Sequence, residues 1–375
     1  MPRNRKNRSA APPAHHGSHP TSRRPGVRPT ARRSVAVELT FLPGLAQIAS
    51  DEASGLLTSG PPRPVPGRED ALEISLLGPL ADVAALRTAV AAFVVLRFDV
   101  PRPKSLTSGD HLQRIVDAMG SSQRVGRSAS FRFEAAGSDS AVFARLASLL
   151  SEATGLPYDE KNGELVLRVR RGVTAGASGD PGWDVLVRVG PRPLSARPWR
   201  VADYPGAVNA TIAAAMVQLG GVDPGDRVLN LMCGSGTLLV ERLLAGPSAA
   251  AVGVDVASEA VAASSANLRA AAVTAQVLQG DALDPVPGSF DLILADPPWG
   301  TLHGSHESNA ALHAGLLTAA YAAAAPGARL VVLTHEIKIM ERAVRDADAL
   351  WHVREQVRVF AKGHHPRIYV LDRTD

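Results

Sequence analysis

The chain has 375 residues, 45% of them hydrophobic, and a formal net charge of +4. That length predicts two or three domains and the apolar content suffices for a sizeable core. The one cysteine, Cys233, excludes an internal disulfide framework and a cysteine-rich zinc site and suits a reducing cytoplasm. No apolar run is long enough for a membrane span, and the N-terminus lacks the apolar segment of a secretory signal.

Residues 1–34 carry nine Arg or Lys and no acid. Without them 31 basic residues face 36 acidic ones, a net of −5, so any nucleic-acid site on the body must be a local patch. The segment is rich in Pro, Arg, Ser and His and is expected to be disordered. It reads as a solvated tail or as a non-specific phosphate-binding arm. A transit peptide is a weaker third reading, for want of an apolar helix face.

From Val35 the pattern predicts α+β structure. Val35–Phe41 alternates as a strand, and Pro43-Gly44 opens a helix through Leu57. Glu73–Leu77 is a strand. Leu86–Leu96 reads as a helix, although its valines would also suit a buried strand. Phe131–Phe133 is a strand, 141–153 a helix, and Leu165–Arg170 and Trp183–Val189 are strands around a Gly/Ala/Ser loop at 172–182.

A second regime begins near Tyr204. Val208–Leu219 is a small-residue helix. Strands at 227–231, 251–255, 275–279, 290–295 and 329–334 then alternate with helices from Thr237, across 259–271 and over 310–324. That rhythm predicts a parallel, doubly wound sheet. Val353–Phe360 and Arg367–Asp372 add a terminal antiparallel hairpin.

Two stretches carry chemistry. Asn230-Leu231-Met232-Cys233-Gly234-Ser235-Gly236-Thr237 ends a buried strand in a Gly-x-Gly turn, where the backbone can approach a ligand. A dinucleotide fingerprint would need a third glycine where Leu239 stands, which demotes NAD. Asp255 closes the next strand and can accept ribose hydroxyls; it also reads as an acid favoured at a helix N-terminus. Asp281, with Ala282, closes the third strand and can accept from an adenine amine, or serve only a turn. Asp296-Pro297-Pro298-Trp299-Gly300 follows the fourth strand. The lone pair of a nucleobase amine is delocalised into its ring. Two acceptors on its hydrogens, the Asp296 carboxylate and the Pro297 carbonyl, can pull the nitrogen towards tetrahedral geometry. The prolines, Pro297 and Pro298, fix the backbone, and Trp299 offers a stacking face for an extruded base.

Together these segments resemble the THUMP-domain, S-adenosylmethionine-dependent RNA guanine-N2 methyltransferases. The likeness extends to Leu194–Arg200 as a linker, Ala207–Met216 as the helix before the glycine turn, and Lys362–Leu371 as the terminal hairpin. Pro43-Gly44-Leu45 with Glu52, and Leu86–Ala89, are similar to the family's ferredoxin-like region. The resemblance implies an α/β fold: a Rossmann-like methyltransferase domain with a C-terminal antiparallel hairpin, preceded by an α+β ferredoxin-like plus THUMP region. The implied boundaries are a basic tail at 1–34, a ferredoxin-like region at 35–109, a THUMP-like RNA-binding domain at 110–192, a linker at 193–203 and the methyltransferase domain at 204–375.

The resemblance further implies S-adenosyl-L-methionine as cofactor, held by Asn230, Met232, Gly234, Ser235, Gly236, Thr237, Asp255, Asp281, Ala282 and Asp296. Asp296, Pro297, Pro298 and Trp299 become the catalytic group. The implied partner is structured RNA, typically the acceptor end of tRNA, modified at position 6, by a cytoplasmic protein favoured as a monomer. Arg197, Arg200, Lys362 and Arg367 are expected phosphate contacts, and His303 and His306 are possible substrate contacts. His364-His365 suits a solvated loop better than a metal site, and Cys233 is expected to be packed rather than catalytic. One departure stands out: the family's Asp-Pro is replaced by Asn230-Leu231, so contact with the donor's ammonium loses a full charge. A ribosomal RNA guanine-N2 methyltransferase, a DNA adenine-N6 methyltransferase and a non-catalytic RNA-binding protein remain the alternative readings.

Overall fold

A computed structural model describes residues 34–174, 179–298, 306–361 and 363–375, the side chains of 306–308 excepted. The basic tail therefore lies, apart from Ser34, outside the described residues, as do Trp299, His303 and Lys362. Among the described residues no helix is long and apolar enough to cross a membrane.

The first half of the chain builds one seven-stranded sheet. Its strands are β1 (Val35–Thr40), β2 (Arg63–Pro64), β3 (Ala71–Leu76), β4 (Ala91–Phe98), β5 (Phe131–Ala135), β6 (Leu165–Arg171) and β7 (Trp183–Arg188), in spatial order β2-β3-β1-β4-β7-β6-β5. All pairs are antiparallel except β5 with β6. Helices α1 (Ala46–Leu56), α2 (Gly109–Val125) and α3 (Ala141–Thr154) accompany it. Val37, Leu39, Ile74, Val94, Ile115, Met119, Phe143, Leu167 and Val187 share one core. That core and the β4–β7 pairing run across residues 109–110, where the sequence suggests a boundary.

One expectation changes here, and one helix is added. Leu86–Leu96 is not a helix: a turn leads into strand β4, in which Ala92 and Val94 face the main core while Ala91, Phe93 and Val95 face the opposite side. Period-two burial of a β-branched run favours the strand. Helix α2 was not read from the sequence, although Ile115, Ala118, Met119 and Ser122 form its buried stripe at helical spacing.

The second half forms a sheet of β8 (Arg227–Leu231), β9 (Ala250–Asp255), β10 (Gln276–Gln279), β11 (Phe290–Ala295), β12 (Ala324–Thr334), β13 (Trp351–Arg358) and β14 (Arg367–Arg373). Their order is β10-β9-β8-β11-β12-β14-β13. The first five are parallel, and β14 runs antiparallel to both β12 and β13, as the terminal hairpin predicts. Its helices are α4 (Ala210–Gly220), α5 (Thr237–Ala245), α6 (Ser258–Ala270), α7 (His306–Ala323) and α8 (Ile337–Asp346). Helix α8 also escaped the sequence reading; its buried Met340, Ala343 and Val344 again follow helical spacing.

The two sheets are joined through a common core. Phe41, Leu45, Ile48, Ala49 and Leu72 from the first half pack with Trp199, Val208, Ile212, Met216 and Val359. Helix α4 is buried almost all round, packed against α5, β12 and α1. Gly44 completes the joint: at φ +97°, a Cβ there would lie 1.9 Å from the Arg358 carbonyl oxygen, so only glycine fits.

Candidate active site

Strand order reverses between β8 and β11: from β8 the chain proceeds outward to β9 and β10, then returns to place β11 on the other flank. Parallel sheets bind ligands outside the carboxyl ends of the strands at such a switch point. A cavity of about 650 Å³ opens there. Met232–Ser235 and Thr237 line it from the end of β8, Asp255 from β9, Asp281 and Ala282 from β10, and Asp296–Pro298 from β11.

The turn after β8 is tightly wound. Met232 and Gly234 both have φ of 52° and Gly236 has φ of 75°. The Cys233 amide donates to the Val254 carbonyl at 3.0 Å, and the Gly236 amide returns to the Cys233 carbonyl at 2.8 Å. A Cβ on Gly236 would stand 2.3 Å from Ser264 Oγ, so glycine allows the turn to rest directly on α6. Cys233 is buried under Gly253, and burial pushes its thiol up to about 12. It is an inert packing group, as expected.

Asp255 is shared between two loops. Its Oδ2 accepts from the Gly234 amide at 2.8 Å and its Oδ1 from the Ala257 amide at 3.0 Å. The carboxylate is thus fixed in place, with lone pairs left for a ligand. Asp281 Oδ1 accepts from the Leu283 amide at 2.9 Å, and the residue is exposed at the cavity rim.

Asp296 differs from both. Its Oδ1 is buried without a hydrogen-bond partner, and burial pushes the carboxyl up to about 7. A desolvated acceptor left free in a cleft is ready for an external donor. Pro297 is buried and Pro298 exposed beside it.

Asn230 lies beneath this arrangement, fully buried and outside the lining. Its Nδ2 donates to the carbonyls of Leu231 at 3.2 Å and Leu294 at 3.1 Å, while Oδ1 has no partner. Here the amide knits the ends of β8 and β11 together. A carboxylate would set negative oxygens against those carbonyls.

Three expected phosphate contacts are found elsewhere. Arg197 is corrected outright: its side chain is 5% exposed and its nitrogens are committed to Glu241, Leu194 and Arg87. Arg200 Nη2 donates to the Val208 carbonyl and to Thr237 Oγ1, at 2.9 and 2.8 Å, bracing the turn from behind. Arg367 Nη1 donates to Glu341 and Gln356, each at 2.9 Å. The loop histidines are exposed; His364 meets His335 edge-on and His365 lies against Phe360.

The wall formed by Tyr204–Val208 went unread in the sequence. Tyr204 reaches over the glycine turn, 3.7 Å from where a Gly234 Cβ would stand. Burial, with Asp255 and Glu259 nearby, raises its phenol. Its only local signal was Tyr-Pro-Gly before a small-residue helix. Leu312 of α7 closes the far side. The adjoining His313 is buried, with Nδ1 donating to the Asn309 carbonyl at 2.8 Å and Nε2 accepting from Thr334 Oγ1 at 2.9 Å. Burial lowers its basicity, so this neutral tautomer is structural.

Known proteins resemble the chain at several levels. Residues 197–367 match the family described as an RMKL-like methyltransferase domain. A tRNA (guanine(6)-N2)-methyltransferase of Thermus thermophilus is 32% identical over 235 residues, covering 61% of this chain and 66% of that protein. A tRNA (guanine(10)-N2)-dimethyltransferase of Methanothermobacter thermautotrophicus is 30% identical over 156 residues, 41% of this chain and 45% of its own length. The chain therefore spans less than two thirds of each of these relatives. The crystal structure of TrmN from Thermus thermophilus superposes with a TM-score of 0.68 and 26% identity, over 91% of this chain and 100% of that one. The fold is the α/β Rossmann-like methyltransferase fold.

Proposed function

We propose that the protein is an S-adenosylmethionine-dependent RNA methyltransferase that modifies the exocyclic N2 amine of a guanosine in tRNA, at position 6 of the acceptor stem. The observation that carries this reading is the buried, unpartnered Oδ1 of Asp296 in the same cavity as the glycine turn. The likeness to the Thermus guanine(6)-N2 enzyme supports the choice of amine and position.

The cavity suits the cofactor. It is large enough for a nucleoside with an amino-acid arm, and its turn lets backbone approach closely at Gly234. Asp255 would take the ribose, Asp281 and Ala282 the adenine, and Met232–Thr237 the methionine portion. When bound, S-adenosylmethionine supplies an electrophilic methyl group on a sulfonium. Asp296 would accept one hydrogen of the guanine amine and the Pro297 carbonyl the other, directing the nitrogen lone pair at that methyl. Transfer of that methyl, with its bond to the departing sulfur breaking, would leave the nitrogen one proton in excess, and Asp296 would take that proton. A carboxyl near neutrality is a more effective base than an ordinary aspartate. Trp299 stays the proposed stacking plate for the flipped base.

The modules before Tyr204 would grip the RNA, with a ferredoxin-like region at 35–109 and a THUMP-like domain at 110–192. They favour RNA over a DNA adenine substrate. The reading includes action in the cytoplasm as a monomer.

The test is nucleoside mass spectrometry of unmodified tRNA transcripts after incubation with the protein and S-adenosylmethionine. N2-methylguanosine is expected, and Asp296→Ala should cut its formation by about 100-fold or more while donor binding persists. N6-methyladenosine, or an undiminished rate in the variant, would overturn the reading.

A further inference from the structure

Behind the cavity, a buried ionic network binds the RNA-side half of the chain to the methyltransferase half. Glu241, one helical turn beyond Thr237 on α5, is fully buried. Its Oε2 accepts from Arg87 Nε at 2.6 Å and its Oε1 from Arg197 Nε at 2.8 Å. Arg197 Nη2 donates back to the Arg87 carbonyl at 2.6 Å. Glu52 of α1 completes the group, accepting from the Arg87 and Thr88 amides at 2.9 Å each and from the Thr88 hydroxyl. Two arginines and two glutamates thus meet in one group drawn from α1, the turn before β4, the linker and α5, with Arg87 Nη2 buried and without a hydrogen-bond partner.

The placement of these groups matters. Arg87 precedes β4, the strand at the centre of the first sheet, bonded to β1 and β7. Glu241 sits on the helix that begins at the cavity turn. The network thus ties the centre of the first sheet to the helix that starts at the cavity turn, alongside the common core. Buried ion networks add little net stability over well-packed apolar replacements, but they penalise every arrangement that leaves a charge unpaired. Such a device suits the setting of geometry better than the supply of stability.

We propose that Glu241, gripped by Arg87 and Arg197, is a positioning residue that fixes the distance between the RNA-gripping modules and the catalytic cavity, and so selects which guanosine is methylated. The selection rests on the function proposed above; the rigidity of the joint does not. A misplacement of about 1 Å at a reacting centre can cost on the order of a hundredfold in rate, so modest tilting changes which nucleotide reacts.

Two readouts test this. Spin labels at Glu152→Cys on α3 and Arg345→Cys on α8, both exposed sites, report the separation of the halves; the buried Cys233 thiol stays unlabelled. One narrow distance distribution is expected, broadened or displaced by Glu241→Gln. On tRNA, Glu241→Gln should lower kcat/KM at the preferred guanosine by about tenfold or more and spread methyl groups to neighbouring guanosines. The donor Kd should change by less than about threefold, since Glu241 lies outside the lining.

If Glu241→Gln does not fold, the triple replacement Arg87→Met, Glu241→Met, Arg197→Met removes the charges while keeping volume. A folded variant with the wild-type distance and product pattern would overturn the proposal. So would failure of both variants to fold, which would make the network a stability element. If the wild-type protein methylates no RNA, the proposed function fails, and the distance measurement still decides whether Glu241 holds the joint.

Discussion

Asp296 and Asp255 are both aspartates at strand ends on one cavity, yet their surroundings assign them different chemistry. Asp255 receives two backbone amides and is held as a fixed acceptor. Asp296 has lost water without gaining a partner at Oδ1. Its carboxyl consequently titrates near 7 rather than at the ordinary 3.8, because burial disfavours the charged form. If the carboxylate form accepts the amine hydrogen, kcat/KM should rise with pH through about 7 and level off above it. A pH–rate profile without an inflection near neutrality would count against that role. Stability should move the opposite way. The unfolded chain gives up this proton near pH 3.8 and the folded protein only near 7, so stability falls as pH rises across that window. Asp296→Asn should flatten this slope, as read from melting temperature between pH 4 and 8.

At the scale of elements, the turn between β8 and α5 is defined by what presses on it. Gly236 combines a left-handed φ of 75° with Ser264 where a Cβ would stand. Gly236→Ala should therefore destabilise the fold by roughly 1–3 kcal/mol through backbone strain alone, with more from displacing α6. Donor affinity should fall with it, because the same turn lines the cavity. Chemical denaturation and calorimetric titration with S-adenosylhomocysteine measure the two effects; unchanged values in both would mean the turn relaxes freely. The linker shares in this element. Asn267 of α6 accepts from the Val201 and Ala202 amides, at 2.9 and 3.0 Å, and donates to the Ser235 carbonyl at 2.9 Å. The segment entering the second half of the chain is thus stitched to the glycine turn rather than left as a tether.

For the whole molecule, the common core decides how the halves behave. Phe41, Leu45, Ile48 and Leu72 bury against Val208, Ile212 and Met216, and each fully buried large side chain contributes about 1.5–3 kcal/mol. Calorimetry should show a single cooperative unfolding transition for the full chain. A fragment starting at residue 193 should melt at a markedly lower temperature or aggregate, because α4 would lose its cover. Two resolved transitions in the full chain, or a fragment as stable as the parent, would show that the halves fold independently.

The sequence by itself determined the parallel βαβ order after Tyr204, the terminal hairpin, and the two turns at Met232–Gly236 and Asp296–Pro298. Glycine and proline spacing and apolar runs are local properties, and they specify strand ends directly. Only the tertiary structure decided the rest. Leu86–Leu96 became strand and turn because a sheet was waiting on both sides of β4. Helices α2 and α8 are the exception: their few apolar residues stand at helical spacing, a local signal the sequence does carry. Arg197 looked like a phosphate ligand because its charge is visible in sequence, whereas Glu241, 44 residues on, is brought to it by folding. Asn230 departs from the family pattern, and its role as a bond between β8 and β11 follows from the pairing of those strands. Charge and periodicity are written along the chain, but burial and partnership depend on residues far apart in it.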